Sequence, residues 1–128
     1  MKTGILNPAL NSLVSRIRHT NTLVIADRGF PFWPQVETVD ISLVDDIPKV
    51  LDVIRAIRAN FAVARVFMAE EFLAANSADA RREFEAALAG IPLVFEPHDE
   101  FKKRVPQAIG LVRTGDTTQY ANVIVESG

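Results

Sequence analysis

Two histidines, His19 and His98, carry the only imidazoles in this sequence of 128 residues. An imidazole titrates near neutral pH and can both give and take a proton, so the pair points to acid/base chemistry. Each falls at a predicted helix end beside a strand terminus, where a plain surface residue is the competing reading. Their spacing matches no metal-binding pattern such as H-x-x-x-H, and no metal site is expected. Asp27 follows a short apolar run, Thr22 to Ala26, and precedes a glycine. Carboxylates at that end of a buried strand line the ligand crevice of α/β sheets, while a turn aspartate bonding its own backbone is an equal reading. Asp45-Asp46 reads as the acidic start of a helix. Glu70-Glu71 reads either as a helix N-terminus or as a second acidic contribution to the crevice. Arg81-Arg82 and Lys102-Lys103-Arg104 read as solvated faces, except that Lys102 lies one turn after His98 on the same helical face. There is no cysteine, no G-x-S-x-G, no G-x-G-x-x-G and no G-K-[ST]. Nucleophilic, thiolate-metal and nucleotide chemistry thus lose their usual residues. What is left suits acid/base work on a small polar molecule, or simply binding one.

The elements that must position these groups follow from periodicity. Asn7 caps a first helix, Pro8 sits at its first turn, and Leu10, Leu13, Val14 and Ile17 recur at helical spacing. Arg16, Arg18 and His19 fall in its predicted last turn. Thr22 to Ala26 reads as a buried strand, and Val36 to Ser42 as a half-exposed one. Between them Gly29-Phe30-Pro31-Phe32-Trp33-Pro34 must be a loop, because two prolines in four residues forbid regular structure. A second helix is predicted from near Asp46, with Pro48 in its first turn. Phe61 to Met68 reads as a strand, and Ser77 caps a further helix that ends at Gly90 and Pro92. Pro92 to Glu96 reads as a strand, and His98 to Val105 as a short amphipathic helix. Ile109 to Arg113 and Asn122 to Glu126 read as a terminal hairpin. This alternation predicts one domain over residues 1–128. Its fold class is α/β, a three-layer α/β/α sandwich on a mostly parallel, mixed sheet.

Composition narrows the partners. With 48% hydrophobic residues the chain can fill a core, and 14 basic against 16 acidic residues argue against a nucleic-acid partner. No apolar run approaches the ~18–20 residues of a membrane span, and the first residues turn polar too soon for a signal peptide. A cytoplasmic protein is expected, with no membrane partner.

Three stretches together carry a family resemblance. They are Arg18-His19-Thr20-Asn21-Thr22-Leu23-Val24-Ile25-Ala26-Asp27, His98-Asp99-Glu100-Phe101-Lys102, and Arg113-Thr114-Gly115-Asp116 through Tyr120-Ala121-Asn122-Val123-Ile124. In this order and spacing the chain resembles the RbsD/FucU family of D-ribose pyranases and L-fucose mutarotases, over essentially its whole length. His-Asp-Glu-Phe-Lys and Tyr-Ala-Asn look more like the ribose branch. The resemblance implies an isomerase that interconverts ring forms or anomers of a free monosaccharide without a cofactor. An acid protonates the ring oxygen, a base takes the anomeric hydroxyl proton, and the open aldehyde recloses through another hydroxyl or onto its other face. It implies His19 as proton donor and Asp27, His98, Tyr120, Ala121 and Asn122 as sugar-binding residues, with Lys102 beside them. A fucose-type mutarotase and a non-catalytic sugar-binding or transport-accessory protein are the competing readings.

One segment departs from that pattern. After Asp27 the ribose branch has a small residue and then Gly-Leu-Pro-Ile-Pro, whereas here Arg28 precedes Gly29-Phe30-Pro31-Phe32-Trp33-Pro34. The added guanidinium and aromatics bear on which sugar fits. Trp33 offers a flat face to a sugar ring, with core packing the equal reading. The assignment of His19 has a geometric consequence. It precedes the strand that Asp27 follows, and five extended residues place the two roughly 16 Å apart. A neighbouring copy must then supply His19 to the sugar, and the resemblance implies a ring-like homo-oligomer, an octamer or decamer, with a shared site.

Overall fold

The strands of the computed structural model, which describes residues 4–128, form one six-stranded sheet in the order β2-β5-β1-β6-β3-β4. They are β1 (Thr22–Ala26), β2 (Thr38–Asp40), β3 (Val63–Ala69), β4 (Leu93–Glu96), β5 (Gly110–Arg113) and β6 (Val123–Ser127). Among the described residues five α-helices accompany them: α1 (Pro8–Ser15), α2 (Val50–Arg58), α3 (Glu71–Ala75), α4 (Ala78–Ala87) and α5 (His98–Arg104). β1 pairs in parallel with β5, β5 with β2, and β3 with β4, while β6 runs antiparallel between β1 and β3. The sheet is therefore mixed and mostly parallel, as expected from the alternation.

Successive side chains of a strand point to opposite faces, and here both faces are apolar. Leu23, Ile25, Val66, Met68, Val123 and Val125 pack with α1 to α4, through residues such as Leu13, Ile54, Ile57 and Phe72. Val24, Ala26, Phe67, Leu111 and Ile124 pack on the other side against Phe101 of α5, Val105 of the 3-10 turn that follows it, and Phe30 and Val36 of the neighbouring loop. Three layers result. Burial of each large apolar side chain contributes about 1.5–3 kcal/mol, so a strand covered on both sides is anchored twice.

Several local expectations are corrected. The predicted terminal hairpin does not form, because β1 lies between β5 and β6 and pairs with both. β1 is buried on both faces, so its backbone groups need a strand at each edge, and no turn signal near residue 115 reveals a partner ~90 residues earlier. The helix predicted from Asp46 begins instead at Val50, with Lys49 as its cap. Asp46 itself has φ +65° in a loop. Its carboxylate accepts hydrogen bonds from the backbone amide and hydroxyl of Thr117. The expected strand over Val36–Ser42 shrinks to Thr38–Asp40, since the Asp40 carboxylate folds back onto the Ser42 amide and hydroxyl. α1 stops at Ser15, so Arg18 and His19 lie in the turn that follows. There Asn21 accepts the Arg18 amide, and Thr20 takes a left-handed φ of +69°.

Candidate functional site

The topology brings the ends of distant strands to one edge. β1, β5, β3 and β4 all finish there, and β6, running the other way, begins there. Asp27 follows β1, His98 follows β4, and Tyr120 to Asn122 lead into β6. Asp27, His98, Tyr120 and Asn122 line one cleft of about 240 Å³, together with Gly29, Phe30, Pro31 and Gln119. That volume lies below the ~300–1,000 Å³ of pockets for drug-sized ligands, so the cleft suits a small molecule.

Hydrogen bonds hold the polar groups in place. The Asn122 side chain is buried, and its Oδ1 accepts the backbone amide of Asp27 at 2.7 Å. Oδ1 of Asp27 accepts the Gly29 amide at 2.9 Å. Asp27 thus makes the expected aspartate turn and also lines the cleft. Burial pushes its carboxyl above the ordinary aspartate range, and repulsion from Asp116 adds to this. The amides of Gly29 and Phe30 and the Asn122 side chain pull against the shift without cancelling it. Asp116 is buried beneath the loop, where it accepts the amides of Val50 and Thr118.

His98 is held differently. Its backbone amide donates to both carboxylate oxygens of Glu71, at 3.0 and 3.1 Å. Its Nδ1 is buried and makes no hydrogen bond among the described residues. The ring is therefore oriented by packing: stacked on Phe101, edge-on to Phe30, and edge-on to Tyr120 with centroids 5.2 Å apart. Tyr120 has φ +54°, a conformation unusual for a bulky residue.

Other candidates fall elsewhere. Ala121 is fully buried, its side chain joins the helix-rich core, and it is not among the residues that line the cleft. Lys102 pairs with Asp99 at 3.8 Å. It lines an adjoining groove with Pro31, Trp33, Lys103 and Pro106 rather than the cleft itself. Trp33 stacks on Phe30, and Phe32 is 70% exposed; neither lines the cleft. Arg28 pairs with Asp45 at 3.0 Å and also stays outside it. The extra guanidinium thus leaves the lining unchanged, whereas Phe30 and Pro31 form part of the wall. His19 is exposed on the turn before β1, at the opposite edge of the sheet, where the neighbouring Thr20 amide bonds the Ser127 carbonyl at the end of β6.

Sequence reasoning did not find Gln119. It sits beside Tyr120 in a loop without periodicity, and adjacency to the Tyr-Ala-Asn run was its only signal. Glu71 was seen as a helix start, which it is, but its bond to His98 spans 27 residues and has no local trace. Among the described residues no group of three or more acidic or histidine side chains could hold a metal ion, and no helix is long and apolar enough to cross a membrane.

The fold and cleft define a mixed α/β protein with a small cleft, lined partly by polar side chains, at the carboxyl edge of its parallel strands. The whole chain, residues 1–128, matches the model of the RbsD / FucU transport protein family, and it belongs to that family. It is 39% identical over 127 residues to the D-ribose pyranase of Geobacillus kaustophilus, covering 99% of this chain and 93% of that one. The structure of Bacillus subtilis RbsD complexed with D-ribose superposes with a TM-score of 0.91 at 33% identity, covering 98% and 95% of the two chains. A fucose mutarotase from Streptococcus pneumoniae, in complex with L-fucose, shares the fold at TM-score 0.76 and 18% identity, over 96% of this chain and 93% of its own.

Proposed function

We propose that this chain is an isomerase that interconverts ring forms of a free monosaccharide, with D-ribose or a related pentose as substrate. The observation that carries this reading is the convergence of Asp27, His98, Tyr120 and Asn122 on one small cleft, in a chain 39% identical to a D-ribose pyranase along its length. The reaction needs no group that these residue types lack. Protonation of the ring oxygen breaks its bond to the anomeric carbon while the anomeric hydroxyl loses its proton, giving the open aldehyde. Attack by a different hydroxyl, with the proton movements reversed, closes the other ring. Positioned acid and base groups contribute ~10²–10⁴-fold to such a step.

In this reading Asp27, His98, Tyr120 and Asn122 bind sugar hydroxyls, the Ala121 backbone borders them, and Lys102 stands at the rim. His19 is the proton donor, and a neighbouring subunit of a ring-like homo-oligomer supplies it, because its own chain holds it at the far edge of the sheet. The protein works in the cytoplasm on free sugar. Exchange NMR on ribose, fucose, galactose and other monosaccharides tests the reading. Catalytic amounts of protein should speed exchange between ribose ring forms. Saturable binding with no faster exchange would establish the non-catalytic sugar-binding reading instead, and faster exchange of fucose anomers alone would move the substrate to the mutarotase branch.

A further inference from the structure

Tyr120 and His98 meet edge to face at the cleft, yet among the described residues neither ring is fixed by a hydrogen bond. His98 has a buried Nδ1 without a partner among the described residues, and Tyr120 follows a backbone in the left-handed region. Such a conformation persists only where surrounding structure holds it. Both backbones are tied to the same short helix. At the start of α3 the Glu71 carboxylate grips the His98 amide with both oxygens. Just past its end, Asn76 Nδ2 donates to the Gln119 carbonyl at 2.8 Å and to the Phe72 carbonyl at 3.0 Å. Phe72, between them, is buried in the core against Phe84, so the helix is a fixed platform. Parallel pairing of β3 and β4 explains why this works: their ends lie side by side, and α3 leaves one as α5 leaves the other.

We propose that Glu71 and Asn76 are positioning residues of the sugar cleft, which together set the spacing of His98 and Tyr120. This rests on the ring-isomerase reading. Glu71→Ala and Asn76→Ala should each raise KM for ribose about tenfold, the scale of one sugar hydrogen bond lost, with turnover at saturation held within about twofold. Glu71→Gln keeps an oxygen for the His98 amide and should stay near wild type. The NOE between the His98 and Tyr120 rings, read without sugar, should weaken in both alanine variants and persist in Glu71→Gln. Folded alanine variants with a normal KM overturn the proposal, whether or not the NOE changes, and so does an unchanged NOE. A wild-type protein that exchanges no sugar overturns the functional reading instead, and the NOE then decides the positioning alone.

Discussion

Asp27 shows how one side chain serves turn and cleft at once. Its folded pKa lies above the unfolded value, chiefly because burial penalises the charged form. Folding therefore favours the protonated carboxyl: this contribution is fully present below the unfolded pKa and is lost as pH rises through the folded one. Asp27→Asn mimics the neutral form and should raise Tm at neutral pH, with no gain in acid below the ordinary aspartate value of 3.8. An equal gain at both pH values would show that charge burial is not the cause. Asn122 makes the opposite case. Truncation to alanine removes the acceptor of the Asp27 amide and, in the proposed reading, a sugar contact together, so Asn122→Ala should lower both urea stability and sugar affinity, each by about 1–3 kcal/mol.

Among the elements, the segment from Thr114 to Asn122 supplies Gln119, Tyr120 and Asn122 to the cleft, and it is held by backbone approach. The Gly115 amide donates to the Pro48 carbonyl, and its own carbonyl accepts the Asp46 amide. A Cβ at Gly115 would stand 2.3 Å from the Val44 carbonyl oxygen and 3.0 Å from that of Ile47, both of them backbone atoms that cannot rotate away. Gly115→Ala should cost about 1–3 kcal/mol in chemical denaturation, because the crowded segment must move apart. It should also weaken sugar binding, since the same segment carries Gln119 and Tyr120 into the cleft. A variant with wild-type stability would mean that the loop over residues 41–49 yields freely.

For the whole molecule, the decisive fact is that β1 separates His19 from Asp27. If the proton donor comes from another subunit, His19→Ala and Asp27→Ala each inactivate a different half of every site. Mixing the two inactive variants, with dissociation and reassembly, should restore exchange, because some interfaces then pair an intact His19 with an intact Asp27. Exchange NMR on the mixture checks this directly. No recovery in a properly assembled mixture would place both residues in one chain's site or remove His19 from the chemistry.

Most of this architecture was legible in the sequence because it rests on short-range signals. The Asn7-Pro8 helix start, the buried run Thr22–Ala26, the Ser77 cap and the turn at Gly90, where φ is +83°, each follow from neighbours within a few residues. Asp27 and His98 could be placed at strand ends for the same reason, while Tyr120 and Asn122 came to notice only with the family resemblance. Tertiary structure alone decided what lies between distant segments. Insertion of β1 between β5 and β6 replaced the expected hairpin, and the Asp46 contact with Thr117 moved a helix start to Val50. The grip of Glu71 on His98 likewise belongs to strand order. Periodicity reports which face of an element is buried; it carries no information on which element buries it, since apolar burial is non-directional and many partners satisfy the same pattern.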